Sequence, residues 1–486
     1  MEWSIVRRAM LVRLSMLSLL VVAASLGCAG ETRRPDGGGI TDASGDASGA
    51  DGALVDAGLR DASAADGSRT DGTSPDGGPG RINRVLALLG DPGATVSEVD
   101  ELLRDVSWKE GWPLEEGGRW LFATRWDDAP GAVSLVSDIN AWDPVRHAAS
   151  VATTGIHYHV LVDRSDFAVV PEGAHYKWHA SPDVFRPPPE ATAYGFDAFG
   201  EYGWVRPPTD QYWLERFPAF RSAHLSLERA LRFYLPRGFS AAAAGTTRTL
   251  LLHDGQNVFH PTAPFGGWHA DETLAASFPD TLAAAVDNAA DRMDAYTHVT
   301  DTISPGTTVG GRADDYIAML RDEVLPFVRR RYGVSASGDS LMIAGSSLGG
   351  LVSLVIAARE PDLAGCVAAL SPTLGWGAFA SGPAPNALVN RWAADVGHGA
   401  TAIYLDSGGN VTGACADGDG DGVFEDSDDS DNYCTTIQMR DLLSGQGYVF
   451  DTDLFHWWEP GASHNEAAWA GRLPRALAAC ETAGWR

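Results

Sequence analysis

Positive charge is scarce in this chain of 486 residues. Lysine and arginine together number 36 against 64 aspartates and glutamates, so the formal net charge at pH 7 is −28. Proteins that bind nucleic acid are normally basic, because they must neutralise phosphates. The composition therefore argues against a nucleic-acid partner. Part of the acidity lies in the N-terminal segment and in one loop, so the net charge is not evidence of a negatively charged functional site.

The apolar run near the N-terminus, residues 14–26, is short for a membrane-spanning helix. Arginines precede it and small residues end it, which is the pattern of a secretory signal peptide. Residues 1–27 are therefore predicted to be a signal peptide, and the protein is expected to be exported.

Aromatic side chains are missing from residues 29–81, where Asp, Gly, Ala and Ser predominate. Such a segment buries too little apolar area to offset the entropy of ordering it. Residues 28–82 are therefore predicted to be a disordered tether.

The tether begins at a sequence that resembles a bacterial lipobox, Ser25-Leu26-Gly27-Cys28, with serine where leucine is usual. The resemblance implies that Cys28 carries lipid and is the protein's link to the membrane. It also implies a lipoprotein of the bacterial outer membrane or cell surface. A periplasmic or fully secreted protein is the alternative.

Cysteine is sparse, with five residues. In an exported protein this number suits one or two disulfides and one cysteine with a separate role. Cys415 and Cys434 flank an acidic loop and are expected to pair. Cys366 lies in a predicted buried strand and Cys480 in the last helix, and their pairing is left open.

Two folded units are predicted after the tether, in line with the chain length. The first, 83–205, combines a helical segment with short strands separated by turn residues, which indicates a small all-β sandwich. The second, 206–486, alternates strands with helices, which indicates the parallel sheet of an α/β-hydrolase plan. Residues 187–213, which are rich in Pro, Gly and aromatic residues, are interpreted as a linker and docking surface. Buried strands of the second unit are predicted at 230–234, 247–252, 282–286, 341–344, 366–370, 402–405 and 455–458.

Residues 341–350 contain the pattern expected around a catalytic serine. An apolar strand stops at Gly345, Ser347 follows two residues later, and Gly349 opens a helix of small and apolar residues. A GxSxG pattern between strand and helix is typical of a nucleophile elbow, where side chains at the two glycines would collide with neighbouring elements. Ser347 is therefore the predicted nucleophile, and the N–H of Leu348 is one predicted oxyanion donor.

A serine nucleophile needs a histidine base and an acid that orients it, and in this fold the order is serine, acid, histidine. His464 lies in a loop after a predicted strand, whereas His398 lies in a polar loop and His456 inside an apolar strand. His464 is therefore the predicted base. For the acid, the residues alone leave open Asp406, at a strand end, and the last aspartates of the acidic insertion, 428–431.

The acidic insertion has the spacing of a calcium-binding loop, with acids at the first, third, fifth, ninth and twelfth positions. A structural rather than catalytic ion is expected, because serine chemistry needs no cofactor. A solvated acidic loop without an ion is the alternative. The predicted ligands are Asp417, Asp419, Asp421, Val423, Glu425 and Asp428.

Several short sequences accompany the elbow: Tyr234-Leu-Pro-Arg-Gly, His253-Asp-Gly-Gln-Asn, Val286-Asp-Asn288, Arg292 with Tyr296, Ser371-Pro372, Tyr404-Leu-Asp-Ser-Gly-Gly409, Asp431-Asn432 and His464-Asn-Glu. Together they make residues 222–480 resemble the esterase D-like branch of the α/β hydrolases, the putative-esterase family, which includes enterochelin and feruloyl esterases. The resemblance implies that Asp431, beyond the insertion, is the triad acid, with Asp406 the runner-up. It also implies that the second oxyanion donor is the N–H of Gln256.

A second resemblance covers residues 110–205, where Asp138, Asn140 and Trp142 lie in a sequence similar to early-set, glycogen-binding-type sandwiches. It implies that Trp142 and Trp178 stack on sugar rings. The alternative is that they are turn and core residues, which is the commonest use of buried aromatic side chains.

These patterns predict a serine esterase that acts through an acyl-enzyme on a small-molecule or glycan-linked ester. A non-catalytic, carbohydrate-binding surface protein is the alternative from another class. In such a protein the hydrolase-like unit would be a relic, expected to have lost Ser347, His464 or an elbow glycine. All of these residues are present. Acyl transfer by the same triad is a third reading, and the oligomeric state is left undetermined.

Overall fold

The structure, a computed structural model, describes residues 80–167, 169–379, 386–410, 415–425 and 430–486. The predicted signal peptide, the lipidation site Cys28, all but the end of the tether and the calcium ligand Asp428 lie outside these ranges. No helix within them is long and apolar enough to cross a membrane.

The described chain opens with two helices, α1 (Arg81–Leu89) and α2 (Val96–Lys109). Thr95 caps α2: its hydroxyl accepts from the N–H of Glu98, whose carboxylate accepts from the N–H of Thr95. This reciprocal pair is the capping box that the sequence predicts.

Nine short strands follow and form the β-rich unit, in which two sheets face each other. Trp120 and Phe122 on one sheet pack against Leu135, Tyr176 and Trp178 on the other. The strands are β1 (Leu114–Glu116), β2 (Arg119–Arg125), β3 (Val133–Ser137), β4 (Ser150–Val151), β5 (His157–Asp163), β6 (His175–Ala180), β7 (Val184–Arg186), β8 (Ala193–Asp197) and β9 (Gly200–Trp204).

The two tryptophans proposed as sugar platforms have different positions. Trp178 has no exposed surface, so it is a core residue and cannot stack on a ligand. Trp142 is half-buried in a turn, where its indole N–H donates to Asp138 Oδ1 at 2.8 Å.

The second unit, the α/β unit, contains a mostly parallel sheet in the order β20-β18-β17-β16-β12-β13-β11-β10. All the strands predicted here are present, with bounds that differ from the predicted ones by a few residues. They are β10 (Trp213–Phe220), β11 (Arg229–Leu235), β12 (Arg248–His253), β13 (Thr281–Val286), β14 (Thr300–Ser304), β15 (Thr307–Gly310), β16 (Gly338–Ser346), β17 (Ala364–Leu370), β18 (Ala402–Gly409), β19 (Ser430–Asp431) and β20 (Leu454–Trp458).

Helices cover both faces of this sheet. The apolar side chains between sheet and helices form two large clusters, one on each face. The helices are α3 (Ala270–Ser277), α4 (Arg292–Tyr296), α5 (Ala313–Met319), α6 (Leu325–Tyr332, joined to α5 by a π-turn at Leu320–Val324), α7 (Leu348–Arg359), α8 (Leu388–Asp395), α9 (Tyr433–Gly445) and α10 (Glu466–Thr482).

The interpretation of residues 187–213 as a linker is wrong. This stretch contains β8 and β9, and β8 pairs with β10 through Leu214 and Tyr194. The hydrogen-bonded sheet therefore continues from the α/β unit into the β-rich unit. Proline and glycine indicate turns correctly here, but buried aromatic side chains between the turns, among them Tyr202 and Trp204, are enough to form a paired hairpin.

Both disulfides available to the described cysteines are formed. Cys415 pairs with Cys434, as expected from their positions around the acidic loop. Cys366 pairs with Cys480 and ties β17 to the last helix, which resolves the pairing that the sequence leaves open.

Candidate active site

Ser347 lies between β16 and α7, at the carboxyl edge of the parallel strands. Its backbone has φ 56° and ψ −122°, a combination that residues with side chains rarely adopt and that costs about 1–3 kcal/mol. The surrounding structure compensates: the N–H of Ser347 donates to Leu370 O at 3.0 Å. The turn thus has the strained geometry expected of an elbow.

The elbow glycines are required to different degrees. A Cβ on Gly345 would lie 2.7 Å from the backbone carbon of Gly349, which is a severe clash, as predicted. A Cβ on Gly349 would lie 3.3 Å from His253 Cβ, a tight contact that a small shift relieves.

His464 lies in the loop between β20 and α10. Its Nδ1–H donates to Asp431 Oδ1, and the edge of its ring packs against Trp469 with centroids 4.9 Å apart. Nε2 is thereby the nitrogen available for proton transfer. In this conformation the Ser347 hydroxyl pairs instead with Thr373 Oγ1 at 3.2 Å, and no hydrogen bond among the described residues joins it to His464.

Asp431 is buried, with 3% of its surface exposed. Its Oδ2 accepts from the Ser371 hydroxyl, from the N–H of Gly408 at 2.8 Å and from Arg472 Nη2 at 3.2 Å. Burial alone raises the pKa of this carboxyl, but the charge and hydrogen bond of His464, with Arg472 and Ser371, lower the pKa to about 2. Asp431 is therefore an anion across the physiological range.

Asp406, the alternative acid, is completely buried and lies on the far side of Arg472. Its Oδ2 is 3.1 Å from the Tyr404 hydroxyl and 3.3 Å from Arg472 Nε. Burial raises its pKa to about 7, although Arg472 opposes the shift. Among the hydrogen bonds of the described chain, Asp431 and not Asp406 reaches His464.

The loop after β12 carries the second expected oxyanion donor. Asp254 adopts a left-handed conformation, and its carboxylate forms two hydrogen bonds of 2.8 Å with Arg292 and one of 2.6 Å with Asn288. The N–H groups of Gln256 and Leu348 donate to no other described residue, so both are available to an oxyanion.

The other histidines have structural surroundings. His398 Nε2 forms a hydrogen bond of 2.7 Å with Asp453 Oδ2. Burial lowers the pKa of His456 to about 4, and its Nε2 has no hydrogen-bond partner within the described ranges. Neither is hydrogen-bonded to Asp431 in the described part of the chain.

The acidic loop, residues 415–425, brings together part of the predicted calcium ligand set. Carboxylate oxygens of Asp417, Asp419 and Glu425 lie within 4.8 Å of one another on the surface. Asp421 is outside this group; its side chain is buried and accepts from the N–H of Val423 at 2.8 Å. Three converging carboxylates suit a hard cation such as calcium, which prefers oxygen ligands.

Sequence reasoning assigned no role to three side chains that surround the acid: Ser371, Trp469 and Arg472. Arg472 has an available signal, because it lies one residue before Leu473 and three after Trp469, on the apolar side of a C-terminal helix. A charged residue on such a side indicates a buried ionic partner. Ser371 gives no comparable local signal.

The family described as "Putative esterase" matches residues 222–480. A search of curated proteins found no match. Among solved structures, an enterobactin esterase from Shigella flexneri is 14% identical over 75% of this chain and 93% of its own, with a TM-score of 0.40. A siderophore hydrolase from Aspergillus nidulans is 17% identical over 54% and 94%, with a TM-score of 0.41. At these identities and scores, the two structures add no argument to the family match.

Proposed function

The chain belongs to the putative esterase family and is a carboxylic ester hydrolase of the α/β-hydrolase fold; from this premise we propose that Ser347, His464 and Asp431 form its catalytic triad. The observation that carries the proposal is the hydrogen bond from His464 Nδ1 to the buried, anionic Asp431, at the same sheet edge as a strained serine. That pairing fixes the imidazole tautomer with a basic Nε2.

The reaction proceeds through an acyl-enzyme. Rotation of the Ser347 side chain away from Thr373 brings its hydroxyl to His464 Nε2, which takes the proton as Oγ attacks the ester carbonyl carbon. The N–H groups of Gln256 and Leu348 donate to the oxyanion, and each such donor is worth about 2.7–4 kcal/mol. The alcohol leaves with the proton from Nε2. Water, deprotonated by Nε2, then releases the acid and restores Ser347.

The proposal includes an exported enzyme, held at the bacterial outer membrane or cell surface by lipid on Cys28. Its substrate is a small-molecule or glycan-linked ester, including siderophore, feruloyl and acetyl-sugar esters. The burial of Trp178 removes one of the two side chains on which a carbohydrate-binding function depended. Hydrolysis is preferred to acyl transfer on the family match alone.

A structural calcium ion on Asp417, Asp419 and Glu425 is also proposed. Without an ion, these exposed carboxylates repel one another, although backbone N–H groups of their own loop donate to Glu425 and Asp417. Coordination would convert the repulsion into attraction. The ion takes no part in the chemistry.

The test compares two matched histidines and the serine. Ser347→Ala and His464→Ala should each lower kcat on p-nitrophenyl acetate by on the order of 10⁶, because triad members act as a unit. His456→Ala should retain kcat and change only the melting temperature, since His464 and not His456 is hydrogen-bonded to Asp431 in the described part of the chain. Near wild-type turnover by Ser347→Ala would eliminate the serine mechanism.

A further inference from the structure

Ser371, the residue after β17, contacts the proposed triad acid Asp431 and two other side chains that are packed around it. It is completely buried and has a positive φ of 44°, which L residues adopt only when the surroundings enforce it. Its hydroxyl oxygen lies 2.6 Å from Arg472 Nη2 and 3.1 Å from Trp469 Nε1, and it also contacts Asp431 Oδ2.

The chemistry of these neighbours determines where the Ser371 proton points. The Trp469 indole and the Arg472 guanidinium are donors only, whereas an ionised carboxylate only accepts. Both lone pairs of the Ser371 oxygen are therefore occupied by incoming N–H groups. Its single hydrogen is left to donate to Asp431 Oδ2.

As a result, the two carboxylate oxygens of Asp431 have different hydrogen-bond partners. Oδ2 receives Ser371, Gly408 and Arg472, so that only Oδ1 faces His464. Hydrogen bonds from several directions hold a carboxylate against rotation, and a charge-assisted bond is stronger than a neutral one. The plane of the carboxylate, and with it the direction of the imidazole, depends on these donors.

We propose that Ser371 is a positioning residue for the triad: it orients Asp431 through a hydroxyl proton whose direction Trp469 and Arg472 fix. The inference rests on the proposed triad and deepens it. Ser371 acts through Asp431 and does not touch the substrate.

A second contact links Ser371 to the same segment. The amide Nδ2 of Asn432, the residue after the acid, donates to the Ser371 carbonyl at 2.9 Å. Asn432 also has a positive φ, 56°. Ser371 is thus hydrogen-bonded to both the acid and the residue after it. These bonds fix the chain at the end of a long insertion, where contacts between sequence neighbours do not.

The loss of a hydrogen bond to a charged group predicts the size of the effect. For Ser371→Ala we expect kcat to fall about 10- to 100-fold with KM within about twofold, the factor that one such bond supplies. Ser407→Ala is the matched control: Ser407 is equally buried, one residue from Gly408, and its hydroxyl has no partner within the described ranges. It should keep wild-type kcat.

The decisive experiment repeats Ser371→Ala in the Asp431→Asn background. If Ser371 works through the acid, its removal there should cost less than about twofold, because residues that act as a unit are not additive. An equal loss in both backgrounds, or an equal loss in Ser407→Ala, would show a merely structural serine and overturn the inference.

A second variant covers a failure of Ser371→Ala to fold. Trp469→Phe keeps an aromatic ring beside His464 but removes the N–H that helps to aim the Ser371 proton. It should lower kcat about 2- to 10-fold, and again much less in the Asp431→Asn background. Wild-type kcat in Trp469→Phe would overturn the inference.

The outcomes also separate this inference from the triad on which it rests. An active Ser347→Ala would remove the triad. Inactive Ser347→Ala and Asp431→Asn together with a fully active Ser371→Ala would leave the triad intact and remove only the role of Ser371.

Discussion

The acidic loop (residues 415–425) and the acid segment (residues 430–432) are near neighbours in one aspartate-rich stretch of sequence, yet their carboxylates have opposite surroundings. Asp417 and Asp419 are exposed, and Asp417 is bound by backbone N–H groups of its own loop. Asp431 is buried and bound by groups from β17, β18 and α10. An aspartate side chain thus forms hydrogen bonds only within its own loop in the first case, and is fixed in the protein core by distant elements in the second.

The difference teaches how the triad acid is held despite the insertion. The acid segment pairs with β18 through Gly408 and Asp431 and through Gly409 and Ser430. Its position therefore depends on the sheet and on Ser371 more than on whatever the acidic loop binds. Damage to the loop should chiefly affect stability, and damage to the acid segment should chiefly affect turnover.

The largest expected effect is on Asp431 itself. Asp431→Asn should lower kcat up to about 10⁴-fold, because the amide favours the wrong imidazole tautomer. The isosteric change in the acidic loop, Asp419→Asn, should lower kcat by no more than about threefold, since an exposed group 12 residues away contributes no bond to His464. Steady-state kinetics on one activated ester compares them. A loss of kcat in Asp419→Asn as large as that in Asp431→Asn would show that the acidic loop and the acid segment do not differ in their importance for turnover.

The next effect concerns the two disulfides. Replacing Cys415 and Cys434 by serine should cost about 3 kcal/mol of unfolding free energy, and replacing Cys366 and Cys480 about 5 kcal/mol, since the chain-entropy cost grows with loop length. The separations are 19 and 114 residues. Denaturant titrations of both pairs measure the costs, while kcat of the first pair should stay near wild type. A large loss of kcat there would mean that the acidic loop does hold the acid segment.

A pH effect should distinguish the two buried aspartates. Asp406, with its pKa raised to about 7, binds its proton more tightly in the folded state than in the unfolded chain, where the pKa is about 3.9. It therefore stabilises the fold below about pH 4 and loses that contribution as the pH rises to about 7. The melting temperature of the wild type, relative to Asp406→Asn, should fall over this range.

Thermal scans at several pH values test this expectation. Asp431, with its pKa lowered to about 2, has the opposite sign: its contribution is present above about pH 4 and is lost as the pH falls towards 2. Parallel melting curves for wild type and Asp406→Asn would show that Asp406 is ionised throughout.

The smallest effect is expected from removal of calcium. A chelator should lower the melting temperature by a few degrees in the wild type and not in Asp419→Ala, because only the wild type retains all three carboxylates. Turnover should change little, because the acid segment is held by the core. Identical melting with and without chelator would leave the acidic loop a solvated surface without an ion.

Much of the site is determined locally, which explains why it was predictable. The elbow depends on Gly345, whose missing side chain admits the turn, and on apolar residues on either side of it. His464 could be chosen over His456 because a loop after a strand faces the sheet edge, whereas a strand interior does not. The strands of the α/β unit were predictable because each contains a continuous run of apolar residues that is buried in the sheet.

Other features depended on partners distant in sequence. Residues 187–213 contain turn signals, and only pairing of Tyr194 with Leu214 shows that they form part of the sheet. The burial of Trp178 depends on an opposite sheet that a single strand cannot reveal. The residues alone left the acid open for the same reason, since Asp406 and Asp431 lie on either side of one insertion, and it was the family resemblance that favoured Asp431.

The amino-acid sequence by itself determined the order of strands and helices, the strained serine turn and the histidine that follows the last strand, because each depends on neighbours a few residues away. Only the tertiary structure decided that Asp431 rather than Asp406 faces His464, and that Ser371, Trp469 and Arg472 stand behind it. A buried carboxylate takes its role from the donors around it, and here those donors come from elements 23 to 60 residues away.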